Sequence, residues 1–185
     1  MAHFLVFLDV DGVLNSVSYY NTVDSITKHP LDPAAIKRLR KLLDEAGRGG
    51  ATVHVILTSS WRTGWNKDPA LQDHSARVLE NALAMNGIRI YDRTGFSGRA
   101  DRPGEVIEFL RTYPYKVDGF VILDDANFFW NKYHLEDMWL KTDFHEEGLS
   151  EAMIPEALRI LKEPPWWLKL FQISKKTFRE GMENP

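Results

Sequence analysis

The stretch FLVFLDVDGVLN, residues Phe4 to Asn15, decides the fold of this chain. Its first half is an unbroken apolar run, which is typical of a parallel β-strand buried on both faces. The run ends at Asp9 and Asp11, and Gly12 then lets the backbone turn sharply. Because open α/β sheets bind ligands at the carboxyl ends of their strands, we expect both carboxylates to reach one bound group. The pair can supply a nucleophile and a neighbouring acid/base for metal-assisted phosphoryl transfer.

The composition is that of an ordinary globular protein. The chain has 185 residues, of which 44% are hydrophobic and 26% charged, and this predicts one domain with a full core. The net charge of −3 gives no general basic field for nucleic acid, although it allows a local basic patch. The lack of cysteine excludes disulfides, thiolate metal sites and cysteine catalysis. We expect a cytoplasmic protein without a signal peptide or a membrane span, and the sequence does not predict its oligomeric state.

Apolar runs of strand and helix type alternate along the chain. The predicted strands are Phe4–Asp9, Thr52–Leu57, Ile88–Tyr91, Gly119–Leu123 and Met138–Lys141. The predicted helices are Ala34–Ala46, a segment from Ala70 or His74 to Met85, Gly104–Tyr113, and a last helix that follows Gly148 and ends near Lys162. Ser16–Pro33 is predicted to be an irregular loop. This alternation predicts right-handed crossovers and a three-layer α/β/α sandwich, with a mostly parallel sheet of about five strands.

The chain divides at Pro164-Pro165. We expect residues 1–163 to form the main domain and residues 164–185 to form an apolar C-terminal extension. The extension carries four aromatic residues, Trp166, Trp167, Phe171 and Phe178, and is too apolar for a free tail. We expect a helix docked on the core, with a membrane-surface helix or a partner-binding helix as alternatives.

Three of the predicted strands end on reactive polar side chains. In chain order these are Asp9 and Asp11, Thr58 and Ser59, and Asp124 and Asp125. Because the carboxyl ends of parallel strands lie at the same edge of a sheet, we expect these side chains to form one site.

These motifs resemble those of the haloacid dehalogenase-like (HAD) superfamily of phosphohydrolases. The first motif is Asp9–Leu14 (DVDGVL), the second is the strand end Val55–Thr58 (VILT), and the fourth is Val121–Asp125 (VILDD). The third motif is normally a lysine that opens a helix. Here the equivalent segment has none, and Arg102 is the candidate, with Arg99 as the alternative.

A closer resemblance is to the small HAD domains of predicted RNA-repair proteins. It is carried by DVDGVLN, by LTSSWR after the second strand, by the helix start Arg102–Leu110, by VILDD, and by the late Gly148-Leu149-Ser150 before the last helix. The resemblance implies a HAD-like catalytic domain over residues 1–163.

The resemblance also implies catalytic roles. Asp9 would attack phosphorus and form an aspartyl-phosphate, while Asp11 would protonate the leaving oxygen and then accept a proton from water. Thr58 would hydrogen-bond a phosphoryl oxygen, and Arg102 would balance the charge of the transition state.

A magnesium ion is the implied cofactor, since a carboxylate approaches a phosphate dianion poorly without a cation between them. Its implied ligands are Asp9, the backbone carbonyl of Asp11, and Asp124, with Asp125 as a further ligand. We also expect substrate contacts from four residues near the strand ends, Gly12, Ser59, Arg62 and Arg99. Thr58 and Ser59 have a structural alternative as caps of a helix that begins near Trp61, and Arg99 and Arg102 could be ordinary surface charges.

The two usual cap insertion points leave little room for a cap domain. Asn15–Thr52 and Arg62–Arg99 are each mostly filled by a loop and one core helix. An open, capless site favours a macromolecular phosphate, and nearby aromatic and basic residues suit a single-stranded nucleic-acid end. The alternatives are a protein or small-molecule phosphatase of the same superfamily, and a non-catalytic HAD-like binding module.

Overall fold

A five-stranded parallel sheet forms the centre of the protein, and its computed structural model describes residues 1–22, 30–97 and 101–171. The strands are β1 (His3–Leu8), β2 (Thr52–Leu57), β3 (Ile90–Arg93), β4 (Gly119–Asp124) and β5 (Trp139–Lys141). Their order across the sheet is β3-β2-β1-β4-β5, and each pair of neighbours is parallel. The predicted parallel sheet of about five strands is confirmed.

Helices cover the sheet. They are α1 (Val17–Thr22), α2 (Pro33–Ala46), α3 (His74–Ala84), α4 (Arg102–Thr112) and α5 (Ile154–Lys162). Helix α2 contacts both α3 and α5, while Phe109 of α4 packs edge-on against Phe7 of β1. The chain reverses its direction across the sheet between β3 and β4, so right-handed crossovers place α4 on the face opposite α2 and α3. This arrangement is the predicted three-layer sandwich.

The central strands bury their apolar runs completely. All six residues of β4 are buried, as are the last four of β1. Leu8 of β1 is in register with Leu57 of β2 on one side and with Leu123 of β4 on the other. The next residue of each of these three strands therefore comes to the same edge of the sheet.

The structure differs from the predicted elements in three places. Within the predicted loop after β1, α1 forms because the Ser16 side chain accepts a hydrogen bond from the Tyr19 amide at 3.1 Å. Strand β3 starts at Ile90, two residues later than predicted, and its pairing with β2 shifts register at Tyr91, between the partners of Val55 and Ile56. Helix α4 starts at Arg102 because the Asp101 side chain caps it.

The first turns after Pro165 lie on the core. Residues 166–171 are helical, Leu168 is buried, and the indole of Trp167 donates to the backbone carbonyl of His134 at 3.3 Å. Residues 172–185 lie outside the described residues, so the division at residue 164 stays a prediction. Among the described helices, none has the length and apolar character needed to cross a bilayer.

Candidate active site

Three carboxylates meet at the carboxyl edge of the sheet. Oxygens of Asp9, Asp124 and Asp125 all lie within 4.8 Å of one another. Asp9 directly follows β1 and is 5% exposed, while Asp124 ends β4 and is 0% exposed. The register of the two strands sets this proximity, and the Asp9 amide donates to the Leu123 carbonyl at 3.0 Å.

Burial makes ionisation of these three carboxyl groups unfavourable. Burial raises the pKa of Asp9, although the Arg102 charge opposes the shift. Burial and the Asp9 charge together raise the pKa of Asp124 to about 7. Burial also raises the pKa of Asp125. Closely spaced, hard oxygen donors whose negative charges are poorly compensated fit a divalent cation such as Mg²⁺.

Arg102 is the cation that faces this cluster. Its Nη1 lies 3.2 Å from Asp9 Oδ1 and also donates to Asp124 Oδ2. The guanidinium stacks on Phe128, 4.2 Å from the ring centroid. Burial lowers the pKa of Arg102, but the Asp9 and Asp124 carboxylates outweigh this effect and raise it. Arg102 thus stands at the start of α4, where the third motif was predicted, whereas Arg99 lies outside the described residues.

Asp11 stands apart from the three clustered acids. One of its oxygens accepts from Asn15 Nδ2 at 2.8 Å, and the other accepts from the indole of Trp61 at 3.1 Å. Asn15 is itself held by the Gly12 amide, which donates to its Oδ1 at 3.0 Å. Asp11 is exposed to solvent, but these hydrogen bonds restrain both oxygens of its carboxylate.

Thr58 and Ser59 follow β2 and differ in their surroundings. Thr58 is fully buried. It lies beside Asp9 because its amide donates to the carbonyl of Leu8, the residue that precedes Asp9, at 2.9 Å. Its hydroxyl is buried and has no hydrogen-bond partner among the described residues. The Ser59 side chain caps the 3₁₀ helix Ser60–Thr63, which is the structural alternative considered for it. It also hydrogen-bonds Asp9, which helps keep the pKa of that carboxyl from rising further.

Arg62 was predicted to contact substrate, and the structure gives it another environment. Its side chain is 5% exposed and its Nη2 forms a 2.6 Å ion pair with Glu105 of α4. Its Nη1 donates to the backbone carbonyls of Thr58 and Ser59. These bonds hold Nη1 and Nη2 inside the protein, so Arg62 supports the loop that carries Thr58, and its contact with substrate stays a prediction.

Gly12 makes room for an acid of the cluster. Its φ of +77° lies in the left-handed region, and a Cβ built there would come within 2.4 Å of the Asp125 carboxyl carbon. The glycine predicted to contact substrate thus allows the close approach of Asp125 to the turn after β1.

The sequence did not predict several residues of the site. Asn15 and Glu105 have no pattern that marks them, because each acts through a contact made by the tertiary fold. Phe128, which stacks on Arg102, was predicted only as one of the aromatic residues after the fourth strand. Trp61 was noted only as an aromatic near the second motif. Its position after the Thr58-Ser59 pair is a weak signal that it belongs to the site.

The fold and the site together define the class. A parallel α/β sheet with an Asp-x-Asp-Gly turn after its central strand, acids from the neighbouring strand and a facing cation is the arrangement of HAD-like domains. A family model described as "HAD domain in Swiss Army Knife RNA repair proteins" matches residues 5–154. The chain belongs to this family. Searches of curated proteins and of solved structures gave no significant match.

Proposed function

We propose that this protein is a Mg²⁺-dependent phosphatase that uses Asp9 as its nucleophile. The observation that carries the proposal is the cluster of Asp9, Asp124 and Asp125 facing Arg102. The family description supports a hydrolase of the HAD superfamily. If the acids were only a structural pair on a surface turn, the fold would have no reason to bury two carboxylates from separate strands, because burying like charges destabilises a protein.

The residues that would hold the ion are Asp9, Asp124 and Asp125, together with the backbone carbonyl of Asp11. When bound, Mg²⁺ would act as a Lewis acid and neutralise negative charge between the nucleophile and the phosphate. Arg102 would share this task, because its guanidinium already contacts two of the ligands. The predicted ligand role of Asp11 fits its backbone better than its side chain, which is bound to Asn15 and Trp61.

The chemistry would proceed in two displacements. A carboxylate oxygen of Asp9 attacks phosphorus and forms an aspartyl-phosphate, and the bond from phosphorus to the ester oxygen breaks. Asp11, in its protonated form, gives its proton to that oxygen, and an alcohol leaves. The Asp11 carboxylate then takes a proton from water as the water oxygen attacks phosphorus, which releases inorganic phosphate and restores Asp9. In this proposal, the Thr58 hydroxyl would hydrogen-bond a phosphoryl oxygen throughout.

Replacing Gly12 by alanine is expected to weaken cation binding. The new Cβ would displace Asp125, and a displaced ligand or supporting group typically costs 10- to 100-fold in metal affinity. We expect the Mg²⁺ concentration for half-maximal activity to rise at least about tenfold. Gly49→Ala is the matched control, because Gly49 has a φ of +79° but no atom within 4 Å of its built Cβ. Equal effects in both variants would attribute the loss to backbone strain and contradict the packing argument.

The preferred substrate in our proposal is a phosphate at a nucleic-acid end. Among the described residues, the segments between the first strands hold helices and short 3₁₀ turns but no separate cap domain, so the site is open. Aromatic rings reach the surface at the same end of the sheet, with Phe96 65% and Phe129 73% exposed. Phe96 also stacks on Arg62, whose guanidinium carbon lies 4.6 Å from the ring centroid. Exposed rings suit stacked bases, and the family description points to RNA repair.

A substrate panel tests this proposal. Aryl phosphate hydrolysis should require Mg²⁺ and stop when EDTA is added. Oligonucleotides with a 3′- or 5′-phosphate should then exceed phosphopeptides and mononucleotides in kcat/KM by about tenfold or more, since one stacked base is worth about 1–3 kcal/mol. Preference for a phosphopeptide or a nucleotide would contradict the substrate class. The absence of metal-dependent activity on every phosphoester would favour a binding module.

A further inference from the structure

We infer that Trp61 and Asn15 are positioning residues that orient the Asp11 carboxylate for proton transfer. The inference rests on the proposed function and adds to it a pair of residues that touch neither the clustered acids nor the reacting phosphorus. Asn15 comes from the turn after β1, and Trp61 comes from the 3₁₀ helix after β2. These two hydrogen bonds therefore link the ends of the neighbouring strands β1 and β2 through the side chain of Asp11.

The hydrogen bonds restrain the carboxylate without saturating it. Asn15 Nδ2 donates to Oδ1 at 2.8 Å and the Trp61 indole donates to Oδ2 at 3.1 Å. A carboxylate has about four acceptor positions, so two such bonds leave room for the proton that the acid/base must carry. With one donor on each oxygen, rotation about the side-chain bonds is opposed in both directions.

Both donors are themselves held in place. Asn15 is 2% exposed, its Oδ1 accepts from the Gly12 amide at 3.0 Å, and its Nδ2 also reaches the Pro30 carbonyl at 3.3 Å. The ring of Trp61 is partly buried and packs against the hydrophobic core. Its 3₁₀ helix is capped by Ser59 and fastened through Arg62 to Glu105. Two donors that are themselves held in place can fix the position of an otherwise exposed carboxylate.

The position of the Asp11 carboxylate matters because its proposed partner is the ester oxygen of the substrate, whereas the metal would take the Asp11 backbone carbonyl. A displacement of about 1 Å in a reacting group can cost on the order of 100-fold in rate. If the indole donor is lost, Asp11 can rotate away from that oxygen or toward the clustered acids. The loss should then appear where the leaving group needs a proton, and not where it can depart as an anion.

Trp61→Phe tests the inference because it removes the indole N–H and keeps an aromatic ring. The measured quantity is kcat/KM, which includes only the steps through formation of the aspartyl-phosphate. For a ribonucleoside 3′-monophosphate, whose alkoxide leaving group needs a proton, we expect a loss of about tenfold or more, up to the 10²–10⁴-fold that general acid catalysis typically contributes. For 2,4-dinitrophenyl phosphate, whose leaving group departs without one, we expect a change within about twofold.

Trp65→Phe is the matched control from the same loop. The Trp65 indole also donates to a carboxylate, Glu80 Oε1 at 2.8 Å, but on the side of α3 and away from Asp11. This variant should change kcat/KM for both esters by the same factor. Thermal unfolding of both variants separates a loss of fold from a loss of proton transfer.

A double variant decides whether Trp61 acts through Asp11. In an Asp11→Asn background, Trp61→Phe should cause no further loss on the alkyl ester, because the group that it positions is gone. An equal loss on both esters from Trp61→Phe alone, or a full further loss in the double variant, would overturn the inference while leaving the phosphatase proposal intact. Wild-type protein that hydrolyses neither ester would refute the proposed function itself.

Discussion

Asp9→Asn is expected to abolish hydrolysis and lower kcat on an aryl phosphate by on the order of 10⁴-fold or more. The amide has almost the same shape but lacks the anionic oxygen that attacks phosphorus. The fold should persist, because the change removes one charge from three crowded acids whose burial already disfavours ionisation. Hydrolysis assays at saturating Mg²⁺ and thermal unfolding would measure the two effects. Mass spectrometry of acid-quenched enzyme should detect a phosphorylated chain in the wild type only.

A matched control for this change is Asp44→Asn. Asp44 lies on α2, is exposed, and pairs with Arg40 instead of a site residue. It carries the same chemical change without altering the carboxylate cluster, so its activity should equal that of the wild type. Phosphatase activity retained in Asp9→Asn would contradict the nucleophile assignment.

Arg102→Met should have the second-largest effect. Methionine keeps much of the apolar stem but leaves Asp9 and Asp124 without their cation. Removing one partner of a buried ion pair destabilises a protein by about 3–5 kcal/mol. Asp124 can reduce this cost by taking up a proton, because burial already raises its pKa and the variant removes the Arg102 charge that lowers it. Loss of a charge that stabilises the transition state should also lower kcat by about 10²–10³-fold. Urea unfolding in EDTA and hydrolysis with Mg²⁺ would measure these two losses.

Two further variants make the test of Arg102 specific. Arg102→Lys keeps the charge and introduces the residue that usually fills the third motif, so it should recover activity to within about tenfold of the wild type. Arg38→Met removes a side chain that pairs with Asp32 and Glu147 away from the site, and it should leave kcat unchanged. Full activity in Arg102→Met would remove this residue from the mechanism, and the cation role would pass to another group.

Local patterns were enough to predict the sheet and the row of strand-end residues. An unbroken apolar run predicts a strand covered on both faces, and β1 and β4 are buried as expected. The register of parallel strands then brings Asp9, Thr58 and Asp124 together, because Leu8, Leu57 and Leu123 lie in register across three neighbouring strands. These inferences need only the side-chain period and the parallel arrangement of the strands.

Side-chain partners could not be predicted in the same way. Arg62 was expected to bind substrate, but it pairs with Glu105, 43 positions away in the chain. The indole of Trp61 reaches Asp11 over a separation of 50 positions. An arginine or a tryptophan near a motif has many available partners, and only the packing of loops decides which one lies within hydrogen-bond distance.

By itself, the sequence determined the parallel sheet, the acids at the ends of its strands and the family of the chain, since hydrophobic runs and short motifs are local properties. Tertiary structure alone decided that Asp125 fits over Gly12, that Arg102 faces two carboxylates, and that Asp11 is held apart from the cluster. The physical reason is that hydrogen bonds and ion pairs act over a few ångströms. Their formation therefore depends on where distant segments meet after the chain has folded.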